Sequence, residues 1–344
     1  MIERILVVGF GSIGQRHLRV IKECCPRANF AVLNRSVKSN LKGDTYFATI
    51  ENALAFKPQV AIIATPAPFH IETALTLALN GCHLLIEKPL SVNSAGVIEL
   101  LRIARQSGVV LQVGYNLRYL PSLRQFRTEI KSNRIGRVLS IRAEVGQYLE
   151  SWRPGSDYRS GVSAKKVLGG GVLLELSHEI DYLRWIFGEV NWVSAWTGKQ
   201  SKLDIDVEDT AHLLLGFKGQ KENSSSGPIA SLVLDCIRHD TSRRCTAIGE
   251  YGTIVWDAIE GTLMLTEKDQ NSQILLFKEK PSSDFTYIEQ WNSFSKCIIN
   301  NEIPIVNGSD GLATLNIIES ARESDSKNSQ RVKVSYESML VELN

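Results

Sequence analysis

The sequence predicts an α/β protein of two domains: a parallel sheet covered by helices on both faces, then a domain with a largely antiparallel sheet. Three observations support this class. Short apolar runs alternate with helical stretches over the first part of the chain. Strand patterns then follow one another with few helices between them. The 344 residues also exceed one ordinary core, so we place the domains at residues 1–120 and 121–344.

In the first domain, apolar runs suited to strands buried on both faces alternate with amphipathic stretches. Gly81 and Gly108 stand where two of the helices should end. The predicted strands are Ile5–Val8, Phe30–Leu33, Val60–Ala64, His83–Ile86 and Val109–Val113, and the predicted helices are Ile13–Glu23, Ile50–Ala55, Phe69–Asn80 and Ser94–Ser107.

The second domain begins with a helix and continues as a series of strands. Gly219–Gly227 is a polar loop between two of these strands. The predicted strands are Val138–Val145, Trp192–Thr197, Thr210–Phe217, Ile229–Asp235, Arg244–Gly249, Thr253–Asp257 and Thr262–Thr266, and the predicted helices are Leu123–Ser132, Phe285–Asn300 and Gly311–Ser324.

A glycine-rich turn joins the first strand to the first helix and reads Gly9-x-Gly11-x-x-Gly14. The first glycine allows a sharp turn, the second lets backbone approach a pyrophosphate, and the third lets the helix pack on the strand. The helix N-terminus adds unpaired N–H groups. This context predicts a Rossmann dinucleotide-binding domain with contacts from Gly9, Gly11, Ser12, Ile13 and Gly14. The alternative is a turn without a ligand.

The end of the second strand bears on the choice of coenzyme. An acidic residue about 20 positions beyond the glycine turn would accept hydrogen bonds from the adenosine ribose. This chain has Asn34, Arg35 and Ser36 there, with Lys38 just beyond. Cations and a hydroxyl suit a 2′-phosphate, so we expect NADP in preference to NAD. The alternative is that Arg35 is a solvated surface cation.

Two further strand ends should face the nicotinamide, because ligands of open parallel sheets bind beyond the carboxyl ends of the strands. Thr65 and Pro66 follow one strand, with His70 close behind, and Glu87 and Lys88 follow the next. A charged pair after an apolar run is costly unless it is partnered. The alternative for Lys88 is an exposed turn lysine.

A second glycine turn, Gly169–Gly171, precedes a helix that Gly188 ends. Its apolar stripe comprises Leu173, Leu176, Ile180, Leu183 and Phe187. Glu175, His178 and Tyr182 fall on the opposite side, which mixes aromatic and ionisable groups. His178 can exchange a proton with a hydroxyl, oriented by Glu175 or Asp181. The alternative is a surface histidine bonded to a neighbouring carboxylate.

The segment before this turn is suited to lining a substrate pocket. Aromatic rings at Tyr148, Trp152 and Tyr158 can stack on a sugar or a base. Arg153 and Arg159 can bind a carboxylate or phosphate. We therefore expect a sugar with an anionic group, with a solvated basic loop as the alternative.

Taken together, these segments resemble the glucose–fructose oxidoreductase and inositol dehydrogenase (Gfo/Idh/MocA) family. The likeness rests on the first glycine turn, the Thr65–His70 stretch, Glu87-Lys88-Pro89, the Gly114–Arg118 run, the triple glycine and His178-x-x-Asp181. Late in the chain, Tyr287-x-Glu289 and Gly308-x-Asp310-Gly311 add to it. In many relatives an aspartate precedes the histidine by four residues, whereas here Glu175 precedes it by three.

The resemblance implies an N-terminal Rossmann domain and a C-terminal α+β domain with an open, mainly antiparallel sheet. In the family that sheet often forms the subunit interface of dimers or tetramers. It implies that Lys88 positions and polarises the substrate oxygen and that His178 is the acid/base during hydride transfer. It brings Asn116 into the coenzyme set and Arg118 into the substrate set. Many members act on sugars, inositols or nucleotide-linked sugars.

Composition narrows the other classes of function. A net charge of +2 gives no reason to expect nucleic acid or an anionic membrane as partner. The six cysteines have neither C-x-x-C pairs nor zinc spacing, so we expect free thiols, no metal and a cytoplasmic location. The leading interpretation is a dehydrogenase. Two alternatives stay open: an enzyme with retained NAD that eliminates a glycosidic group, and a non-catalytic NADP-sensing regulator.

Overall fold

A computed structural model describes residues 2–34, 45–219, 227–270 and 272–336 of the chain. These residues divide into two compact units. The first comprises residues 2–116 and Ser283–Leu315, and the second comprises Leu117–Ser282 and Asn316–Tyr336. This division differs from the expected one at residue 120, because a late segment of the chain returns to the first unit.

The return of Ser283–Leu315 has a physical cause in side-chain burial. Trp291, Phe294 and Cys297 are at most 5% exposed and belong to the same apolar core as Ile5 and Ile62. Burying large apolar side chains is the main favourable term in folding. The predicted helix at Phe285–Asn300 has the right bounds, but it belongs to the first unit and not to the second.

The first unit is built on a six-stranded parallel sheet with the order β3-β2-β1-β4-β5-β6. This is the Rossmann strand order, in which the direction of winding reverses between β1 and β4. The strands are β1 (Arg4–Val8), β2 (Asn29–Leu33), β3 (Thr45–Phe47), β4 (Val60–Ile63), β5 (His83–Ile86) and β6 (Leu111–Val113), and the helices are α1 (Ser12–Cys24), α2 (Ile50–Ala55), α3 (His70–Leu79), α4 (Val97–Gln106) and, late in the chain, α8 (Phe285–Asn300).

The second unit contains a nine-stranded sheet among its described residues, with the order β14-β13-β12-β11-β7-β10-β9-β8-β15. Its neighbours are antiparallel except for β7 and β10. The strands are β7 (Val138–Gly146), β8 (Val190–Gly198), β9 (Thr210–Phe217), β10 (Ile229–Asp235), β11 (Ser242–Gly249), β12 (Gly252–Asp257), β13 (Thr262–Glu267), β14 (Ile274–Lys278) and β15 (Val332–Lys333), and the helices are α5 (Pro121–Lys131), α6 (Val172–Glu175) and α7 (His178–Phe187).

Helix α9 (Gly308–Ser326) contributes residues to both units. Across the described ranges, no helix is long and apolar enough to cross a membrane. In the same ranges, no group of three or more His, Cys, Asp or Glu side chains could hold a metal ion. All six cysteines lie within the described chain and carry free thiols. The parallel sheet of the first unit and the mainly antiparallel sheet of the second confirm the predicted fold class.

Candidate active site

The first glycine turn has the shape that its three glycines predict. Gly9 has φ of +89°, and a Cβ there would lie 2.8 Å from the carbonyl oxygen of Ala64. A Cβ at Gly14 would collide with the carbonyl oxygen of Gly9. By contrast, no described atom beyond its chain neighbours lies within 4 Å of a Cβ placed on Gly11. The middle of the turn is therefore open to a ligand, while its two ends are closed by protein.

Helix α1 starts directly behind this opening. Gly11 is its N-cap residue, no side chain caps its first turn, and that turn contains no acidic residue. Ser12 is exposed and Ile13 is half-buried. Uncapped N–H groups at the positive end of a helix dipole suit an anion. The residues present therefore fit the diphosphate of a dinucleotide.

The end of strand β4 supplies a second sign of a missing partner. The hydroxyl oxygen of Thr65 is buried, yet it makes no hydrogen bond to any described residue. A buried hydroxyl without a partner costs free energy, so such groups commonly await a ligand. Pro66 follows directly and is half-buried. Both residues lie beside the reversal point between β1 and β4, where dinucleotides bind in this strand order.

His70 lies behind Thr65 as a buried brace. One ring nitrogen, Nε2, is 2.7 Å from the carbonyl oxygen of Thr65, and Nδ1 is 3.1 Å from that of Pro89. Burial lowers the pKa of His70, although both carbonyl contacts oppose that shift. The side chain therefore ties the loop after β4 to the loop after β5, and its ring nitrogens are engaged by backbone.

Strand β5 ends in a second buried histidine contact. Nε2 of His17, on α1, lies 2.7 Å from Oε1 of Glu87, and the other carboxylate oxygen accepts the backbone N–H of Lys88 at 3.2 Å. Burial by itself raises the pKa of Glu87, but the bond from His17 and the charges of His17 and Lys88 lower it below its usual value. Lys88 is half-buried, and a cis peptide bond joins it to Pro89.

Two other predicted coenzyme positions lie in this unit. The side-chain nitrogen of Asn116 donates to the hydroxyl of Thr286 at 3.0 Å, and the residue is 8% exposed. Asn34 is half-buried, and its backbone N–H donates to the carbonyl of Phe47. Arg35, Ser36 and Lys38 lie outside the described residues.

The second glycine turn leads to two helices where the sequence predicts one. Helix α6 ends at Glu175, and α7 begins at His178. The apolar stripe is buried as expected, with Leu176 at 8% the most exposed of its five residues. Because α6 ends at Glu175 and α7 begins at His178, the two residues do not lie on one continuous helix, so helical spacing does not place them on a shared face. Tyr182 is also fully buried, against Trp256, and does not lie on an open side.

The two carboxylates near His178 have different surroundings. Oε2 of Glu175 accepts a hydrogen bond from the hydroxyl of Ser163 at 3.1 Å. Asp181 accepts two bonds from the guanidinium of Arg118, at 2.9 Å from Nε and 2.6 Å from Nη2. Both partners of this ion pair are at most 2% exposed. This ion pair joins Arg118 to α7. Because the guanidinium is buried and already paired, the structure does not support the predicted role of Arg118 in substrate binding.

The segment before the second glycine turn is only partly available to a ligand. Arg159 is paired with Asp157 at 2.8 Å, and the hydroxyl of Tyr158 accepts the backbone N–H of Asp204 at 3.2 Å. The ring nitrogen of Trp152 donates to the carbonyl of Gln147. The exposed guanidinium of Arg153, in contrast, makes no hydrogen bond or ion pair with the described chain.

Two side chains that contact the candidate site, His17 and Glu208, were not identified from the sequence. His17 lies three residues after Gly14, on the side of α1 that faces the sheet, and this spacing was the available signal. Glu208 lies at the second glycine turn, where Oε1 accepts the N–H of Leu173 at 3.1 Å. A Cβ on Gly171 would collide with the same carboxylate. Glu208 thus explains why this turn needs a glycine, but nothing in the sequence pattern marks it.

The strand order, the open glycine turn and the uncapped helix are those of a dinucleotide-binding Rossmann domain. Two family models agree: an oxidoreductase family with an NAD-binding Rossmann fold matches residues 3–115, and the GFO/IDH/MocA C-terminal domain matches residues 123–255. The chain belongs to the GFO/IDH/MocA family of dehydrogenases, as the resemblance implied.

Named relatives lie within the same class. The rhizopine catabolism protein MocA of Rhizobium meliloti is 30% identical over 192 residues, which are 54% of this chain and 57% of that protein. Myo-inositol 2-dehydrogenase of Thermotoga maritima is 27% identical over 93% of this chain and 96% of its own. A solved levoglucosan dehydrogenase in complex with NADH superimposes with a TM-score of 0.84 at 20% identity, covering 97% of this chain and 99% of that one. At that identity the last comparison supports the fold.

Proposed function

We propose that this protein transfers a hydride between NAD(P) and a secondary alcohol of a sugar, cyclitol or nucleotide-sugar. The observation that carries the proposal is the position of Lys88, two residues after the end of β5, at the carboxyl edge of the sheet, where dinucleotides bind in this strand order. The name of myo-inositol 2-dehydrogenase, a relative that matches most of the chain, points to the same substrate class.

The proposed roles divide between two side chains. When bound, the nicotinamide supplies the hydride acceptor for oxidation and the hydride donor for reduction. In oxidation, the imidazole of His178 takes the proton from the substrate hydroxyl as the carbon–hydrogen bond breaks and the carbonyl forms. The ammonium of Lys88 holds the substrate oxygen and stabilises its developing negative charge. Glu175 and Asp181 orient the imidazole of His178. Asp181 does so while it is also paired with Arg118.

For the coenzyme, we propose a preference for NADP. The support is chemical: the position that would reject a 2′-phosphate carries no carboxylate in Asn34-Arg35-Ser36. Fluorescence titration with NADPH and NADH tests this directly, and Arg35→Ala should reduce the preference by about tenfold. An unchanged ratio of the two Kd values in the variant would contradict the role of Arg35.

For the substrate, we propose an anionic group that meets the loop around Arg153. The structure leaves this guanidinium open, whereas Arg159 is occupied by Asp157. We expect Arg153→Ala to raise KM for charged sugars and to leave KM for neutral ones unchanged. Arg159→Ala is the matched control, because its charge is already paired. Equal effects of the two substitutions would contradict this assignment.

We further propose a homodimer or homotetramer formed through the nine-stranded sheet. Leu214 and Trp196 point to one face of it and are 46% and 38% exposed. Leu275, on β14, is 52% exposed. Exposed apolar side chains on one sheet face suit a subunit interface. Analytical ultracentrifugation of wild type and Leu214→Glu tests it, and an unchanged monomer in both would overturn it.

A coenzyme titration followed by a screen of sugars, cyclitols and nucleotide-sugars tests the proposed activity. Net reduction of NAD(P) with at least one alcohol supports it. NAD(H) retained through purification without net reduction would favour the elimination alternative. Tight NADPH binding with no turnover across the panel would favour the regulator. A cytoplasmic location remains a prediction from the sequence.

A further inference from the structure

We propose that His17 is a positioning residue of this dehydrogenase: through Glu87 it holds the backbone of Lys88 and thereby directs the ammonium group. The inference rests on the proposed function, since it assumes that Lys88 acts on the substrate. It adds a residue on α1, the helix that starts at the glycine turn, to the machinery at the end of β5.

His17 and Glu87 form a close pair in the interior of the first unit. His17 and Glu87 are 70 positions apart in sequence, yet Nε2 and Oε1 are 2.7 Å apart. His17 is 1% exposed and Glu87 is 8% exposed. An ionised carboxylate only accepts hydrogen bonds, so the imidazole donates from Nε2. The ring of Tyr287, on α8, packs edge-on against His17 with centroids 5.3 Å apart, which fixes the plane of the imidazole.

The carboxylate of Glu87 also contacts Lys88. The oxygen that does not contact His17 accepts the backbone N–H of Lys88 at 3.2 Å. Both oxygens of Glu87 therefore accept hydrogen bonds, one from His17 on α1 and one from the backbone N–H of Lys88. On a further side, a Cβ on Gly114 would lie 2.9 Å from the second oxygen. Little room remains for the carboxylate to choose another rotamer.

The negative charge of Glu87 depends on its neighbours. Glu87 keeps its charge in a buried place because His17 donates to it and Lys88 is nearby, and both effects hold its pKa down. A buried carboxylate that loses its donor is strongly disfavoured, so it either protonates or moves. Either change weakens the negative charge beside Lys88 and releases its backbone N–H.

Two variants separate the hydrogen bond from the bulk of the ring. His17→Leu replaces the imidazole with an apolar side chain of similar size and removes the donor. His17→Gln keeps an N–H donor at a similar reach. For each, we would measure Tm, the Kd of NAD(P)H, kcat and KM on a substrate from the panel, and the rate at which acetic anhydride labels Lys88 in the coenzyme-free protein. Lys57, an exposed lysine of the same unit, is the internal standard.

We expect His17→Leu to lower kcat by about 10- to 100-fold with coenzyme Kd changed by less than about threefold. We expect the Lys88 amine to be labelled about three to ten times faster relative to Lys57, because its counter-charge is weakened. His17→Gln should stay within about threefold of wild type in both readouts. A role in packing alone would affect Tm and leave the labelling ratio and the ratio of kcat to coenzyme affinity unchanged.

A folded His17→Leu protein with a wild-type labelling ratio or a wild-type kcat overturns the inference. If His17→Leu does not fold, Glu87→Gln replaces it, because this change removes the charge and keeps the size; an unchanged labelling ratio there is equally decisive. The labelling needs no turnover. If the wild type oxidises nothing in the panel, the proposed function fails while the link from His17 to Lys88 is still measured.

Discussion

Arg118 and Asp181 form a buried two-point ion pair, with both side chains at most 2% exposed and two hydrogen bonds of 2.9 and 2.6 Å between them. The guanidinium also lies 5.6 Å from the ring centre of Trp185. Asp181 is the fourth residue of α7, so the pair ties the first turn of this helix to the chain segment before α5. The helix that begins with His178 is thus fixed by a charge pair that water does not reach.

Removing one partner of this pair should be costly. We expect Asp181→Ala to reduce the free energy of unfolding by about 3–5 kcal/mol, because it leaves a buried guanidinium uncompensated. The double variant Arg118→Met, Asp181→Leu should recover much of that loss. Asp157→Ala, in the exposed pair with Arg159, is the control and should leave the free energy of unfolding nearly unchanged. Urea unfolding of the four proteins tests this, and a wild-type stability for Asp181→Ala would contradict it.

Substitutions at Gly11 and Gly14 of the first turn should separate folding from coenzyme binding. A methyl group on Gly14 meets the backbone of Gly9, so Gly14→Ala should lose about 1–3 kcal/mol of stability as well as coenzyme affinity. Gly11→Ala meets open space, so it should keep its Tm and raise the Kd of NAD(P)H by about tenfold or more. Thermal unfolding and fluorescence titration measure both; normal coenzyme binding by Gly11→Ala would remove the pyrophosphate from this turn.

The unpartnered hydroxyl of Thr65 should serve the coenzyme and not the fold. We expect Thr65→Val to leave the Tm of the coenzyme-free protein unchanged or higher, since it removes a buried polar atom that lacks a described partner. The same change should weaken NAD(P)H binding by about tenfold. Thr76→Val, on the exposed side of α3, is the control. A variant that binds coenzyme as wild type does would show that the hydroxyl plays no part.

The carboxyl of Glu208 should cause a pH-dependent loss of stability. Burial raises its pKa above the usual 4.5, more than its hydrogen bond from Leu173 lowers it. The unfolded chain therefore releases this proton first, and the folded state loses relative stability as pH rises from 4.5 toward the raised value. Glu208→Gln keeps the acceptor and removes the charge, so its Tm should exceed that of wild type at pH 7 and match it below pH 4. The opposite order at pH 7 would contradict the account.

Most of the fold could be predicted because its signals are local. Apolar runs and helical spacing identify five of the six strands of the first sheet, but β3 has three residues and no apolar run that stands out. The break between α6 and α7 was hidden because the spacing of Leu173, Leu176 and Ile180 continues through it. The return of Ser283–Leu315 to the first unit depends on a shared core, which sequence spacing does not show.

The candidate site divides in the same way. The positions of Gly9, Gly14 and Lys88 in the fold could be predicted because they follow from backbone geometry and from the ends of strands. The partners of Glu87 and Asp181 could not, because His17 and Arg118 are 70 and 63 positions away in sequence. Such pairs depend on strand order and helix packing, which only the folded chain reveals.

In the proposed reaction, His178 takes the hydroxyl proton of a bound alcohol and Lys88 stabilises its oxygen, while the hydride passes to NAD(P). The most direct measurement is single-turnover reduction of NAD(P) in wild type, Lys88→Met and His178→Ala, with coenzyme Kd determined for each. We predict that both variants bind coenzyme within about threefold of wild type and reduce it at least about 100 times more slowly. Single-turnover rates equal to that of wild type in either variant would contradict the account.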